Sequence, residues 1–191
     1  MNIAVFASGN GSDLQAIMDA CANGRLAANV CCVISNNSNA FALERARSAG
    51  IPAYHISTRT APDPGAEMIN TLRHHHTGLV FLAGYLKKLP SAVTKAYPTY
   101  NIHPALLPKF GGKGMYGIHV HTAVLAAGET ETGITIHRVS DEYDTGAIVA
   151  QCTVPVLPGD TPDLLAARVL TQEHVFIVDV LEKILCEISS G

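Results

Sequence analysis

Short apolar runs, each broken by glycine or polar residues, set the rhythm of this chain. Residues 3–7 are continuously apolar, as expected of a parallel strand buried on both faces. The same dense pattern predicts strands over 30–35, 53–56 and 79–83, with helices over 12–22, 40–49 and 62–76 between them. Residues 132–139 alternate apolar and polar as a strand does, and 147–156 reads as another strand. A helix over 119–127 is ended by Gly128. Thr161, Pro162 and Asp163 supply an N-cap, a proline at the first helical position and an acid in the first turn of a long helix reaching about 186. Strands alternating with helices predict an α/β fold, a doubly wound, mostly parallel sheet. No repeat or linker divides the chain, so residues 1–191 read as one domain.

Two breaks in this pattern carry candidate chemistry. The first is Gly9-Asn10-Gly11 after the opening strand, followed by Ser12 and, three residues on, Gln15, a capping-box spacing. A strand, a glycine loop and a helix start form an anion site, because glycines let the backbone approach and helix N-terminal N–H groups face the charge. A phosphomonoester suits so short a loop. Leu14 occupies the third glycine position of the dinucleotide fingerprint, and no Gly-Lys-Ser/Thr follows, which argues against a nicotinamide enzyme and a P-loop. A non-catalytic phosphate-binding module fits this loop taken alone.

The second break is Asn101-Ile102-His103-Pro104 at a strand end. The spacing of Asn101 and His103 puts both side chains on one side of an extended backbone. Pro104 and Pro108 restrict His103 and Leu107 to extended geometry, which predicts a stiff loop at the C-terminal end of a strand, where open α/β sheets hold ligands. Gly111, Gly112, Gly114 and Gly117 then predict a flexible segment suited to closing over a substrate.

Composition excludes more than it selects. At 48% hydrophobic and 15% charged residues, the chain is globular and not disordered, and a net charge of −3 offers nucleic acid no broad basic surface. Five cysteines scattered in apolar runs read as buried hydrophobes in a reducing compartment. The N-terminus shows no signal pattern and no apolar stretch is long enough to span a membrane, so a cytoplasmic location is expected. His74-His75-His76 and the pair His119 and His121 lack ligand spacing for a metal, so none is expected.

The run Asn101-Ile102-His103-Pro104-Ala105-Leu106-Leu107-Pro108 resembles the signature of the folate-dependent formyltransferases. Ala7 to Ser12, Leu82-Ala83-Gly84-Tyr85-Leu86 and Asp141-Glu142-Tyr143-Asp144-Thr145-Gly146 match further motifs of that family in order. Within it, the glycine loop and Thr171-Gln172-Glu173-His174 point to the branch that formylates a glycinamide ribonucleotide in purine synthesis. The resemblance implies a Rossmann-like fold, 10-formyltetrahydrofolate as co-substrate, no metal, and a monomer or homodimer acting on small molecules. It implies that Asn101, His103 and Asp144 are catalytic: the first two donate to the oxyanion, and Asp144 raises the His103 imidazole and moves a proton. It places the ribonucleotide phosphate and amine on Gly11, Ser12, Asp13 and Glu173, and the folate on Leu86, Lys87, Lys88, Leu89, Asn101, Ser140, Asp141, Glu142, Tyr143 and Asp144. Two positions depart from the family: Asp13 stands where Asn is common, and Lys87 where Arg is frequent. Relatives that formylate methionyl-tRNA would be expected to bring a basic C-terminal domain beyond the last residue, Gly191.

Overall fold

The computed structural model describes residues 1–190. All seven of its strands lie in one sheet: β1 (Asn2–Phe6), β2 (Asn29–Ser35), β3 (Ala53–His55), β4 (Leu79–Leu82), β5 (Thr99–His103), β6 (Glu131–Arg138) and β7 (Ile148–Pro155). Their order is β3-β2-β1-β4-β5-β6-β7. β1 to β5 pair in parallel, and β6 and β7 extend that sheet antiparallel, so the fold is α/β and mostly parallel.

The period-2 alternation of each central strand decides where the helices go. In β1, Ile3 and Val5 face one core and Ala4 and Phe6 the other; in β4, Leu79 and Phe81 oppose Val80 and Leu82 in the same way. On the first face pack α1 (Ser12–Ala22), α2 (Phe41–Ser48), α5 (Ile118–Ala126) and α6 (Pro162–Ser190). On the second lie α3 (Pro64–His74) and α4 (Ser91–Ala96). Sequence reading did not anticipate α4, whose six residues are too few to show a 3.6 periodicity. Thr161 does cap α6, its hydroxyl accepting from the Leu164 N–H at 3.3 Å.

Chain order reverses at β1: the chain runs outward through β2 and β3, then returns to β4 on the other side. Such a switch point leaves a crevice at the carboxyl ends of the strands. The glycine loop after β1, the Gly84–Leu89 segment after β4 and the end of β5 all open onto it. Ser8 ties the first two together, donating its N–H to Gly84 O at 3.0 Å while its hydroxyl accepts from the Leu86 N–H at 2.8 Å.

The signature loop after β5 is held by two partners on the antiparallel strands, buried Thr135 and exposed Gln151. The Thr135 hydroxyl donates to Ala105 O at 2.7 Å and accepts from the Leu107 N–H at 3.1 Å, while Gln151 Nε2 donates to Leu107 O at 3.0 Å. The stiffness expected from Pro104 and Pro108 therefore has a second source, the β6–β7 hairpin. Gly133 in β6 leaves the space that Leu106 of this loop fills: a Cβ there would lie 2.5 Å from Leu106 Cδ2 and 2.3 Å from Cys152 O. Gly133→Ala should therefore cost about 1–3 kcal/mol by overpacking. Urea unfolding should show a lower midpoint at an unchanged slope, and an unchanged midpoint would contradict this packing.

Candidate functional site

An open cleft of about 530 Å³ lies over the carboxyl ends of β4 and β5. Leu82, the Gly84–Leu89 segment, β5, the 112–117 loop and the 139–144 turn wall it, and Asp13 and Glu173 close one end. Most candidate residues converge here: Asn101, His103, Asp144, Asp13, Glu173, Leu86, Lys87, Lys88, Leu89, Ser140, Glu142 and Tyr143 all line it. Asp141, Gly11 and Ser12 do not, although the latter two lead directly into Asp13.

Asn101 and His103 project from the same face of β5, because Tyr100 and Ile102 take the alternate positions and bury in the core. Asn101 pairs across the antiparallel ladder with His137. His137 Nδ1–H donates to Arg138 O at 2.8 Å, so its Nε2 lone pair accepts from Asn101 Nδ2 at 3.0 Å. One amide N–H of Asn101 is thereby engaged, the other has no protein partner among the described residues, and Asn101 lines the cleft. Sequence reading missed His137. The available signal was its position in an otherwise apolar alternating strand, in step with buried Thr135, where a core residue would be expected.

His103 is 4% exposed and donates from Nε2 to Phe110 O at 2.8 Å. This bond leaves the Nδ1 lone pair turned toward Asp144 Oδ2, 3.7 Å away. The carboxylate is where the resemblance implied and pulls the ring upward as expected, but the net value of the ring falls. Burial dominates and holds His103 below the ordinary imidazole value, and the opposing pull of the Asp144 charge and the Phe110 bond does not offset it. The resting ring is neutral at pH 7, able to take a proton at Nδ1 and not already charged.

Asp144 sits on a left-handed backbone, φ 55°, at the end of the 140–144 turn. Burial opposes its ionisation, yet contact with His137, the Gly112 N–H donated to Oδ2 at 2.9 Å and the positive charge that His103 and His137 carry when protonated hold it below the usual carboxylate value. The glycine-rich 111–117 segment is thus anchored at Gly112 by Asp144, and the same residues form a wall of the cleft.

At the other end, the capping box expected from Ser12 and Gln15 is absent. Gly11 is the N-cap of α1 and no side chain caps it, while Gln15 bonds Asp19 and Arg45 instead. The reason is steric: Gly11 adopts φ 73° with Ala42 Cβ 2.7 Å from where its own Cβ would be. That close approach turns the chain into α1 and leaves the first-turn N–H groups uncapped. Arg45 of α2 braces the loop, donating from Nε to Asn10 O at 2.8 Å and from Nη2 to Asn10 Oδ1 at 3.3 Å.

Around the rim of the cleft, Leu86, Tyr116 and Tyr143 expose 47%, 45% and 39% of their surface, which suits a flat ring system. Lys88 and Glu142 approach across it, 3.8 Å apart. Among the described residues, no group of three or more His, Cys, Asp or Glu could hold a metal, and no helix is long and apolar enough to cross a membrane.

Residues 1–181 match the family model described as formyl transferase. The chain is 45% identical over 191 residues to the chloroplastic phosphoribosylglycinamide formyltransferase of Arabidopsis thaliana, covering 97% of this chain and 65% of that one. It therefore spans a little under two thirds of that plant relative. Similarity to the phosphoribosylglycinamide formyltransferase of Escherichia coli (strain K12) is 42% over 181 residues, covering 91% of this chain and 82% of that one. A crystal structure of phosphoribosylglycinamide formyltransferase from Bacillus halodurans superposes with a TM-score of 0.89 at 32% identity, covering 97% of this chain and 95% of that one.

Proposed function

The chain belongs to the formyl transferase family, and on that premise we propose that it transfers the formyl group of 10-formyltetrahydrofolate to the amine of N1-(5-phospho-D-ribosyl)glycinamide. The observation that carries this reading is the convergence of Asn101, His103 and Asp144 on one wall of a cleft whose far end holds Asp13 and Glu173 beside an uncapped helix start. In this reading the N-terminal half seats the ribonucleotide and the C-terminal half the folate and the chemistry.

Attack of the amine on the formyl carbon gives a tetrahedral intermediate with an oxyanion. The free N–H of Asn101 donates to that oxygen, a contact of a kind worth roughly 3 kcal/mol in a transition state. His103 accepts the proton shed by the attacking nitrogen at its Nδ1, and the cation so formed is stabilised by Asp144. The protonated ring then supplies the leaving folate nitrogen with a proton as the carbon–nitrogen bond to folate breaks. The backbone N–H groups at Gly11, Ser12 and Asp13 receive the phosphate, Glu173 faces the amine end, and the residues from Leu86 to Leu89 and from Ser140 to Asp144 hold the folate, with Lys87 presenting a point charge to its carboxylates.

The reaction is tested by mixing 10-formyltetrahydrofolate with glycinamide ribonucleotide and following the absorbance change as tetrahydrofolate is released. Turnover that requires both substrates is expected. A folded protein that binds phosphate esters yet gives no transfer would assign the glycine loop to a binding module.

A further inference from the structure

The end of the cleft nearest the glycine loop is acidic in an unusual way. Asp13, on the first turn of α1, keeps 13% of its side chain exposed, and its Oδ1 is buried without a hydrogen-bond partner. His174 Nε2 of α6 lies 3.7 Å from it and is likewise buried without a hydrogen bond. One residue earlier, Glu173 is 8% exposed, lines the same cleft, and has no hydrogen bond to its carboxyl among the described residues. An anion-binding helix start thus meets two nearly buried carboxyls, neither of them neutralised by Lys or Arg. Arg45 of α2 is committed to Asn10 and Gln15, and Lys87, Lys88 and Lys113 line other walls with Glu142, Asp144, His103 and His137. His121 of α5 is buried and interacts with the charge of His103.

We propose that Asp13 is a specificity-determining residue of the phosphate subsite, whose carboxyl must take up a proton, backed by His174 and beside Glu173, before a phosphate dianion can seat on the glycine loop. The inference rests on the reading of that loop as the phosphate subsite. An ionised carboxylate on the first helical turn opposes a dianion at the same N–H groups, and protonation converts it into an acid that donates a hydrogen bond to a phosphate oxygen. The electrostatics of the site agree in direction. Burial pushes Asp13 up to about 6 against the pull of His174, and burial with the charge of Asp13 pushes Glu173 up to about 8. In the free protein Asp13 therefore ionises at about pH 6, and a bound dianion moves that ionisation higher. Affinity for the phosphate is fully present while Asp13 is protonated and declines as pH rises.

The test is calorimetric titration with ribose 5-phosphate from pH 5.5 to 8 for the natural protein and Asp13→Asn, whose amide mimics the protonated acid and is insensitive to pH. The ligand's own ionisation is common to both proteins and cancels in their ratio. The two affinities should agree at pH 5.5, and the variant should bind about tenfold more tightly at pH 8, the change that one linked proton gives for each unit by which its pKa is raised. Independently of any variant, titration of the natural protein at pH 7.5 in two buffers of different ionisation enthalpy should show net proton uptake. An affinity ratio that does not vary with pH, or binding without proton uptake, overturns the proposal while leaving the phosphate subsite intact. Absence of ribose 5-phosphate binding to either protein at every pH would instead remove the subsite, and this proposal with it.

Discussion

His103→Ala is expected to lower kcat for formyl transfer by about a thousandfold or more, the range for loss of a positioned acid–base group, with a much smaller change in ribonucleotide affinity. The ring is the one group in the cleft whose Nδ1 is both uncommitted and next to a carboxylate: Nε2 is spent on Phe110 O, and Asp144 stands 3.7 Å from Nδ1. Removing it leaves Asn101 able to polarise the formyl oxygen, so residual turnover should remain above the uncatalysed rate. The variant also leaves Phe110 O without its donor in a partly buried setting, a cost of up to about 1–3 kcal/mol. Thermal unfolding therefore has to accompany the assay. A folded variant with near-normal kcat would sink the assignment of the proton-transfer role to His103, whereas ribonucleotide binding lost in step with turnover would point to a positioning role.

How much of this was visible in the sequence differs between fold and site. The continuous apolar runs of β1, β2 and β4 can only be buried on both faces, so the parallel sheet and its helices were legible from pattern alone. The six residues of α4 were not, and neither was the antiparallel pairing that brings β6 beside β5. That pairing is what creates the site, because it sets His137 opposite Asn101 and lets the 140–144 turn carry Asp144 back to His103. Sequence distance hides such contacts: Asn101 and His137 are 36 residues apart, and only the register joins them. Glycine at position 11 was legible as a loop residue, but the capping box predicted beside it failed, since the clash with Ala42 depends on a helix 30 residues further on. The ionisation state of His103 was illegible for a related reason. An adjacent carboxylate argues for a raised value, and only the burial of the ring, a property of the folded core, reverses the sign.

Asp144→Asn should lower kcat by about a hundredfold to ten-thousandfold and move the acid limb of the pH–rate profile to lower pH. Asparagine is the informative replacement. It tolerates the left-handed backbone that position 144 adopts, φ 55°, and it can still accept the Gly112 N–H through its amide oxygen, so the turn and the 111–117 wall are retained. What it removes is charge. In the natural protein Asp144 is ionised at neutral pH, and its charge partly opposes the burial that holds His103 low. Without that charge only burial and the neighbouring ring His137 remain to weigh against the Phe110 bond, so His103 takes a proton at a still lower pH. The acid limb reports protonation of the base in the free enzyme and follows it downward, while the rate falls at all pH because the imidazolium formed during transfer has lost its counter-charge. The stability profile should shift with it. Asp144 and His103 both have lowered values in the folded state, so each contributes stability that is present above its unfolded value and lost as pH falls through the folded one. Removing Asp144 deletes the carboxylate's share of that acid sensitivity, and chemical unfolding of Asp144→Asn should show a shallower loss of stability below pH 4. An acid limb that moves upward, or does not move while kcat collapses, would show that Asp144 acts on something other than the His103 ring.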